Sequence, residues 1–236
     1  MRWLPLVAVV LALLPRGSAL AAPLSDADAD SMARQVLNGD FTQFERLNKI
    51  AEDAWADYQK DHLPYPPVGQ KVFAELADAD AKNSANAREA LIRATSYELL
   101  QSEACDALGV CAGHGDAKAF EVLSAGDKYG LNQLNVISGM GEAAKLQHPG
   151  AIAWLDDWAK THPVDGYSWS VVEGLAPAAE KGDDTALDGI IILSKTTNEL
   201  VHRESVRVIR LASNRGNAKA TQALVELGLA DGGSPR

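Results

Sequence analysis

Apolar residues recur every three or four positions along almost the whole chain, the spacing of one buried helical face. Phe41, Phe44, Leu47, Ile50, Ala51, Ala54, Trp55 and Tyr58 form one such stripe, on a helix that Asp40 is placed to cap. Val206, Ile209 and Leu211 mark another, expected to begin between residues 202 and 205. Ile190-Ile191-Ile192-Leu193 has the look of a buried strand, but it continues a helix start at residues 182–187 and reads as buried helix. Strand-type alternation is absent, so the fold class is all-α.

The helices repeat. With Gly39, Asn83, Gly115, Gln147, Gly182 and Gly216 as phase points, Leu47, Leu91, Leu123, Leu155, Ile190 and Leu224 all follow eight residues later. Four residues later stand Gln43, Ala87, Ala119, Ala151, Ala186 and Ala220; four residues earlier stand Gln35, Ala79, Cys111, Ala143, Ala178 and Ala212. The intervals are 44, 32, 32, 35 and 34 residues, a helix-pair period. The long first interval holds the Pro-rich loop of residues 61–69. Small residues bracket each turn so that two antiparallel helices approach closely, and the Leu or Ile one turn on fills the groove between neighbouring pairs. One pair cannot bury its own apolar face, so the pattern predicts a right-handed α-solenoid of five or six pairs. An irregular helical bundle rich in alanine is the competing expectation.

The segment Ala178-Ala179-Glu180-Lys181-Gly182-Asp183-Asp184-Thr185-Ala186 resembles the Ala-Ala-x-x-Gly-x-x-x-Ala core of Sel-one-like repeats, relatives of the tetratricopeptide repeat. Ala212 to Ala220, followed by Leu224, Leu227, Gly228, Leu229 and Gly232, is similar, and Cys111 to Ala119 is a weaker copy. The copies around Asn83 and Gln147 lack the central glycine, which keeps HEAT-type repeats open as the alternative. Either resemblance implies a curved helical scaffold that binds proteins or peptides. The Sel-one-like resemblance further implies exported adaptors or periplasmic immunity proteins that neutralise secreted toxins.

The first residues change the compartment. Arg2, the apolar run from Trp3 to Leu14 and the small residues Ser18-Ala19-Leu20-Ala21-Ala22 have the order of a secretory signal peptide, with cleavage between Ala21 and Ala22. The run is too short for a membrane-spanning helix, and no later stretch supplies a transmembrane anchor. Removing residues 1–21 leaves 215 residues and shifts the net charge from −10 to −12. A periplasmic or secreted protein follows. So strong an acidic balance excludes nucleic acid as the main partner. With 47% hydrophobic and 23% charged residues, the composition excludes a disordered or collagen-like chain. Cys105 and Cys111, six positions apart in an exported chain, are expected to form a disulfide joining one helix end to the next helix start, adding about 2 kcal/mol.

Specific chemistry is sparse. Asp26-x-Asp28-x-Asp30 opens like a calcium loop, but Ser31 stands where that loop needs Gly and Leu37 where it needs Glu, so an acidic helix start is expected. His62, His114, His148, His162 and His202 form no close pair, and no metal site is predicted. Gly139-Met140-Gly141 lacks a preceding strand and reads as close helix packing rather than a nucleotide loop. Gly166-Tyr167-Ser168-Trp169-Ser170 fails the nucleophile-elbow pattern, and no cofactor is implied. Glu142 and Glu173 fall near inner-helix ends, as solvated acids or as an acid–base pair.

Two features are candidates for partner binding. Trp154, Trp158, Tyr167 and Trp169 gather in one repeat, either as core or as an exposed hot spot. Arg203, Arg207 and Arg210 share one helical stripe in a C-terminal section, residues 195–236, whose net charge is +3 while the rest of the processed chain carries −15. The expected function is that of an exported helical-repeat protein binding a protein or peptide partner without catalysis of its own. The alternatives are a periplasmic enzyme acting on cell-envelope polymer or lipid, and a self-assembling envelope component.

Overall fold

A computed structural model describes residues 24–61, 68–162 and 166–229. The expected signal peptide with its Ala21–Ala22 cleavage point, and residues 62–67 of the Pro-rich loop, lie outside the described residues. Among the described residues the regular structure is wholly helical, with no strand. The helices are α1 (Asp26–Leu37), α2 (Gln43–Asp61), α3 (Gln70–Ala81), α4 (Ala85–Ala94), α5 (Gln101–Gly113), α6 (Ala117–Ser124), α7 (Gln133–Lys145), α8 (Pro149–Thr161), α9 (Ser168–Glu180), α10 (Asp184–Leu193), α11 (Glu199–Asn214) and α12 (Ala218–Glu226). None is long and apolar enough to cross a membrane.

The six phase points are the turns inside the helix pairs, and all six have left-handed backbone. Gly39, Gly115, Gly182 and Gly216 have φ between 91° and 99°, while Asn83 and Gln147 reach φ 66° without the freedom of glycine. At each turn the residue after the phase point sends its backbone N–H to the carbonyl of the residue five positions before itself. These bonds, Asp40 to Gln35, Ser84 to Ala79, Asp116 to Cys111, His148 to Ala143, Asp183 to Ala178 and Asn217 to Ala212, span 3.0–3.1 Å. They are the long hydrogen bond of a Schellman ending. In five pairs that same residue then caps the second helix. Ser84, Asp116, His148, Asp183 and Asn217 accept the N–H of Ala87, Ala119, Ala151, Ala186 and Ala220 at 2.8–3.3 Å. The alanines at the two fixed positions are therefore the residues whose backbone closes the turn, and small side chains there leave room for both chains.

The first pair departs from this scheme. The Asp40 carboxylate accepts from the Thr42 N–H and hydroxyl instead, at 3.2 and 2.6 Å, so α2 starts at Gln43 rather than beside Asp40. The helix expected from residues 202–205 starts earlier, at Glu199, because Asn198 caps it through the N–H groups of Leu200 and Val201.

Leu47, Leu91, Leu123, Leu155 and Ile190 are wholly buried, and Leu224 nearly so. The odd-numbered helices each pack on the next odd-numbered one, from α1 on α3 through to α9 on α11. On the other side α4 packs on α6, and α8 on α10. Glycines set the closest of these contacts. A Cβ on Gly139 would stand 2.5 Å from the Cys105 carbonyl oxygen, and Gly109 faces the Gly139 carbonyl in the same way. Gly139-Met140-Gly141 is thus a packing surface, as its context suggested.

The expected disulfide is not formed. Cys105 and Cys111 are both free, and both lie within α5 rather than across a helix boundary. Six residues of α-helix rise about 9 Å, beyond the roughly 7 Å that a disulfide can bridge between Cα atoms. Burial holds both thiols in their neutral form, with Cys105 pushed up to about 12.

Candidate functional site

A groove of about 330 Å³ lies across α3, α5 and α7. Phe73 and Ala77 of α3 and Ala107 and Val110 of α5 give it an apolar floor. Its polar groups are nearly all acids: Asp78, Glu103, Asp106 and Glu142. Stacking of successive pairs brings them together, since Asp78 and Glu142 each stand five residues before their turn on helices that both flank α5.

The two acids from α5 are the most confined. Burial pushes the Glu103 carboxyl up, against the backbone N–H groups of Glu103 and Gly69, which favour the charged form. Burial also raises Asp106, offset by the Ser138 hydroxyl, which donates to it at 2.6 Å, while the charge of Glu142 adds to the rise. Glu142 is bridged to Lys145 at 2.5 Å. Among the described residues, Asp78, Glu103 and Asp106 have no Lys, Arg or His within 4 Å. The groove therefore combines an apolar floor with three carboxyls that no salt bridge engages, of which Glu103 and Asp106 are partly desolvated and Asp106 is offset in part by the charge of Lys145. Such a surface favours a ligand carrying both a cation and an apolar body.

A second acidic site is closed and structural. Arg88 of α4 binds Asp116, the α6 cap, and lies 3.3 Å from Asp80, so one guanidinium ties three elements together. Burial raises Asp80, which shares a hydrogen bond with Asp116 and accepts one from Cys111. Burial also pushes on Asp116, but the Ala119 N–H and Arg88 outweigh it and hold that carboxyl below its usual range.

The aromatic candidates separate into two places. Trp154 and Trp158 stack at 5.5 Å on α8, and His162 continues the ladder at 4.0 Å from Trp158. Trp158 is buried, so that pair is core at one end. Tyr167 is partly buried and precedes α9, where Trp169 is 40% exposed. Arg203, Arg207 and Arg210 do share one exposed face of α11, around a hollow of about 630 Å³. Arg207 is engaged there by Glu204 at 2.7 Å and Glu180 at 3.1 Å.

Asp26 and Asp28 occupy the first turn of α1, with Lys71 bridging Asp26 and Asp30 at 3.6 and 2.7 Å, an acidic helix start rather than a calcium loop. Among the described residues no cluster of His, Cys, Asp and Glu could hold a metal ion. The groove acids Glu103 and Asp106 escape a reading by motif because two acids three apart on one helix are the ordinary pattern of a solvated face. Aligning the helices on their turns is the signal that finds the site, since it sets Asp78 level with Glu142 and Asp106 level with Ser138. No known protein-family model, curated protein or solved structure matches the chain.

Proposed function

We propose that the chain is an exported helical-repeat scaffold that binds a basic, partly apolar segment of a protein partner in the groove across α3, α5 and α7. The carrying observation is the combination there of an apolar floor with the carboxyls of Asp78, Glu103 and Asp106, none of which is held in a salt bridge. At Glu103 and Asp106 a cationic side chain entering the groove would meet carboxyls that burial already separates in part from water, so its own desolvation is offset by attraction. Packing of each odd-numbered helix on the next, with a left-handed turn in every pair, supports a right-handed α-solenoid of the Sel-one-like or HEAT type. The signal-like residues 1–21 support export to the periplasm or beyond.

Comparative capture from the envelope fraction tests the reading. Wild type and the variant Glu103→Gln/Asp106→Asn are compared by quantitative mass spectrometry, with N-terminal sequencing of the recovered chain. The expected result is a protein enriched on wild type and lost on the variant, from a chain that starts at Ala22. Equal recovery on both would remove the groove from the binding surface.

The same two carboxyls favour a second reading. Two raised acids one helical turn apart in one groove are what an enzyme acting on envelope polymer would need for acid–base work. Openness of the groove favours binding instead, because catalysis gains from excluding water. Release of soluble fragments from purified envelope polymer by wild type, and none by Glu103→Gln, would favour the enzyme.

A further inference from the structure

Six residues before its turn, each odd-numbered helix from α1 to α9 carries a small residue: Ala33, Ala77, Gly109, Gly141 and Ala176. Where glycines occupy this position, the next odd-numbered helix presses directly on it, Gly109 against Gly139 and Gly141 against Gly174. In α11 the same position is Arg210, which is exposed. A long charged side chain there bars a further helix from the close approach used elsewhere. No described element covers this face, and it is amphipathic: Arg203, Arg207 and Arg210 alternate with Val206 and Leu211, with Leu229 beside them. Glu199 stands at its edge in the first turn. Glu204 is taken up by Arg207, whereas Arg203 and Arg210 have no acidic group within 4 Å among the described residues.

This face has the chemistry that the groove across α3, α5 and α7 lacks. We propose that the arginine face of α11 docks into the acidic groove of a second copy of this chain, so that the protein masks its own binding surface. The proposal rests on the groove reading above. Charge complementarity selects a second copy as the occupant: two arginines without a salt-bridge partner on an amphipathic helix face oppose three carboxyls without one around an apolar floor. A foreign basic segment would then compete with self-association for the same groove.

Sedimentation equilibrium of the full chain tests it with two variants. In Arg203→Glu/Arg210→Glu the α11 face is reversed and the groove intact; in Asp78→Lys/Glu142→Lys the groove rim is reversed and α11 intact. Wild type should associate, with a dissociation constant that rises at least about tenfold between roughly 50 mM and 500 mM salt. Each variant alone should be monomeric, and an equimolar mixture should associate, because one variant keeps a native groove and the other a native α11. Circular dichroism checks that both remain helical, and Asp78→Lys alone replaces the double rim variant if that one unfolds. Wild type that stays monomeric at about 200 μM in low salt overturns the proposal, as does association that survives reversal of the arginines or fails to return on mixing. Monomeric wild type that still loses its captured partner on rim reversal would leave the groove reading standing and remove the self-docking.

Discussion

Gly174 of α9 meets Gly141 of α7 backbone to backbone: a Cβ placed on Gly174 would stand 2.8 Å from the Gly141 Cα. Neither partner is a flexible side chain, so the helices themselves would have to separate. Gly174→Ala should therefore destabilise the fold by about 3 kcal/mol, the upper end for overpacking, although alanine is the better helix former. Gly166→Ala, where a Cβ meets nothing within 4 Å, serves as the control and should stay within about 0.5 kcal/mol. Chemical denaturation of the two variants checks both values, and equal midpoints would show that the α7–α9 contact tolerates a wider spacing.

The six turns contain a built-in comparison. Gln147 holds φ 66° at the position where Gly182 holds φ 95°. Left-handed backbone costs a side-chain-bearing residue about 1 kcal/mol that glycine avoids. Gln147→Gly should raise stability by up to about 1 kcal/mol, and Gly182→Ala should lower it by a similar amount. Opposite shifts in thermal midpoint are expected from two substitutions at equivalent exposed sites.

These turns are legible in the sequence because their chemistry is local: a left-handed residue, a cap beside it and alanine on either side fall within nine residues. The cysteines are misleading for the same local reason. A spacing of six suggests a closed loop only if a helix ends between them, and residues 105–111 contain no breaker beyond Gly109, which serves close packing inside α5. The groove is not legible by motif, because Asp78, Asp106 and Glu142 are some thirty residues apart from one to the next and converge only after three pairs stack. The tryptophans share a repeat in sequence, yet Trp158 and Trp169 belong to different helices and differ in exposure.

Free thiols and the Arg88 bridge make a linked prediction. Adding a reductant should leave the melting temperature unchanged, since no disulfide constrains α5. Arg88→Met should instead cost about 3 kcal/mol, because it strands Asp80 and Asp116 without their cation in a buried place. Asp80→Asn in the same background should recover part of that loss by removing one of the two acids. A melting temperature that falls with reductant, or an Arg88→Met variant as stable as wild type, would contradict this account.

The α8 cap makes stability sensitive to acid. The Nδ1 atom of His148 accepts the Ala151 N–H at 3.1 Å, so the folded state requires a ring nitrogen without a proton. Burial, with Phe120 at 4.7 Å between ring centroids, lowers the pKa of this histidine below its ordinary 6.5. The unfolded chain then binds the proton more readily than the folded one. The contribution of the cap is complete above the ordinary histidine pKa and is lost as pH falls from there through the depressed folded value. His148→Asn supplies an acceptor that does not titrate in this range. The difference in stability between wild type and His148→Asn should be nearly constant above pH 7 and should shift in favour of the variant as pH falls from about 6.5 through the depressed folded value. Denaturation midpoints of the two proteins across that range measure it, and parallel curves would show that His148 carries no proton-linked cap.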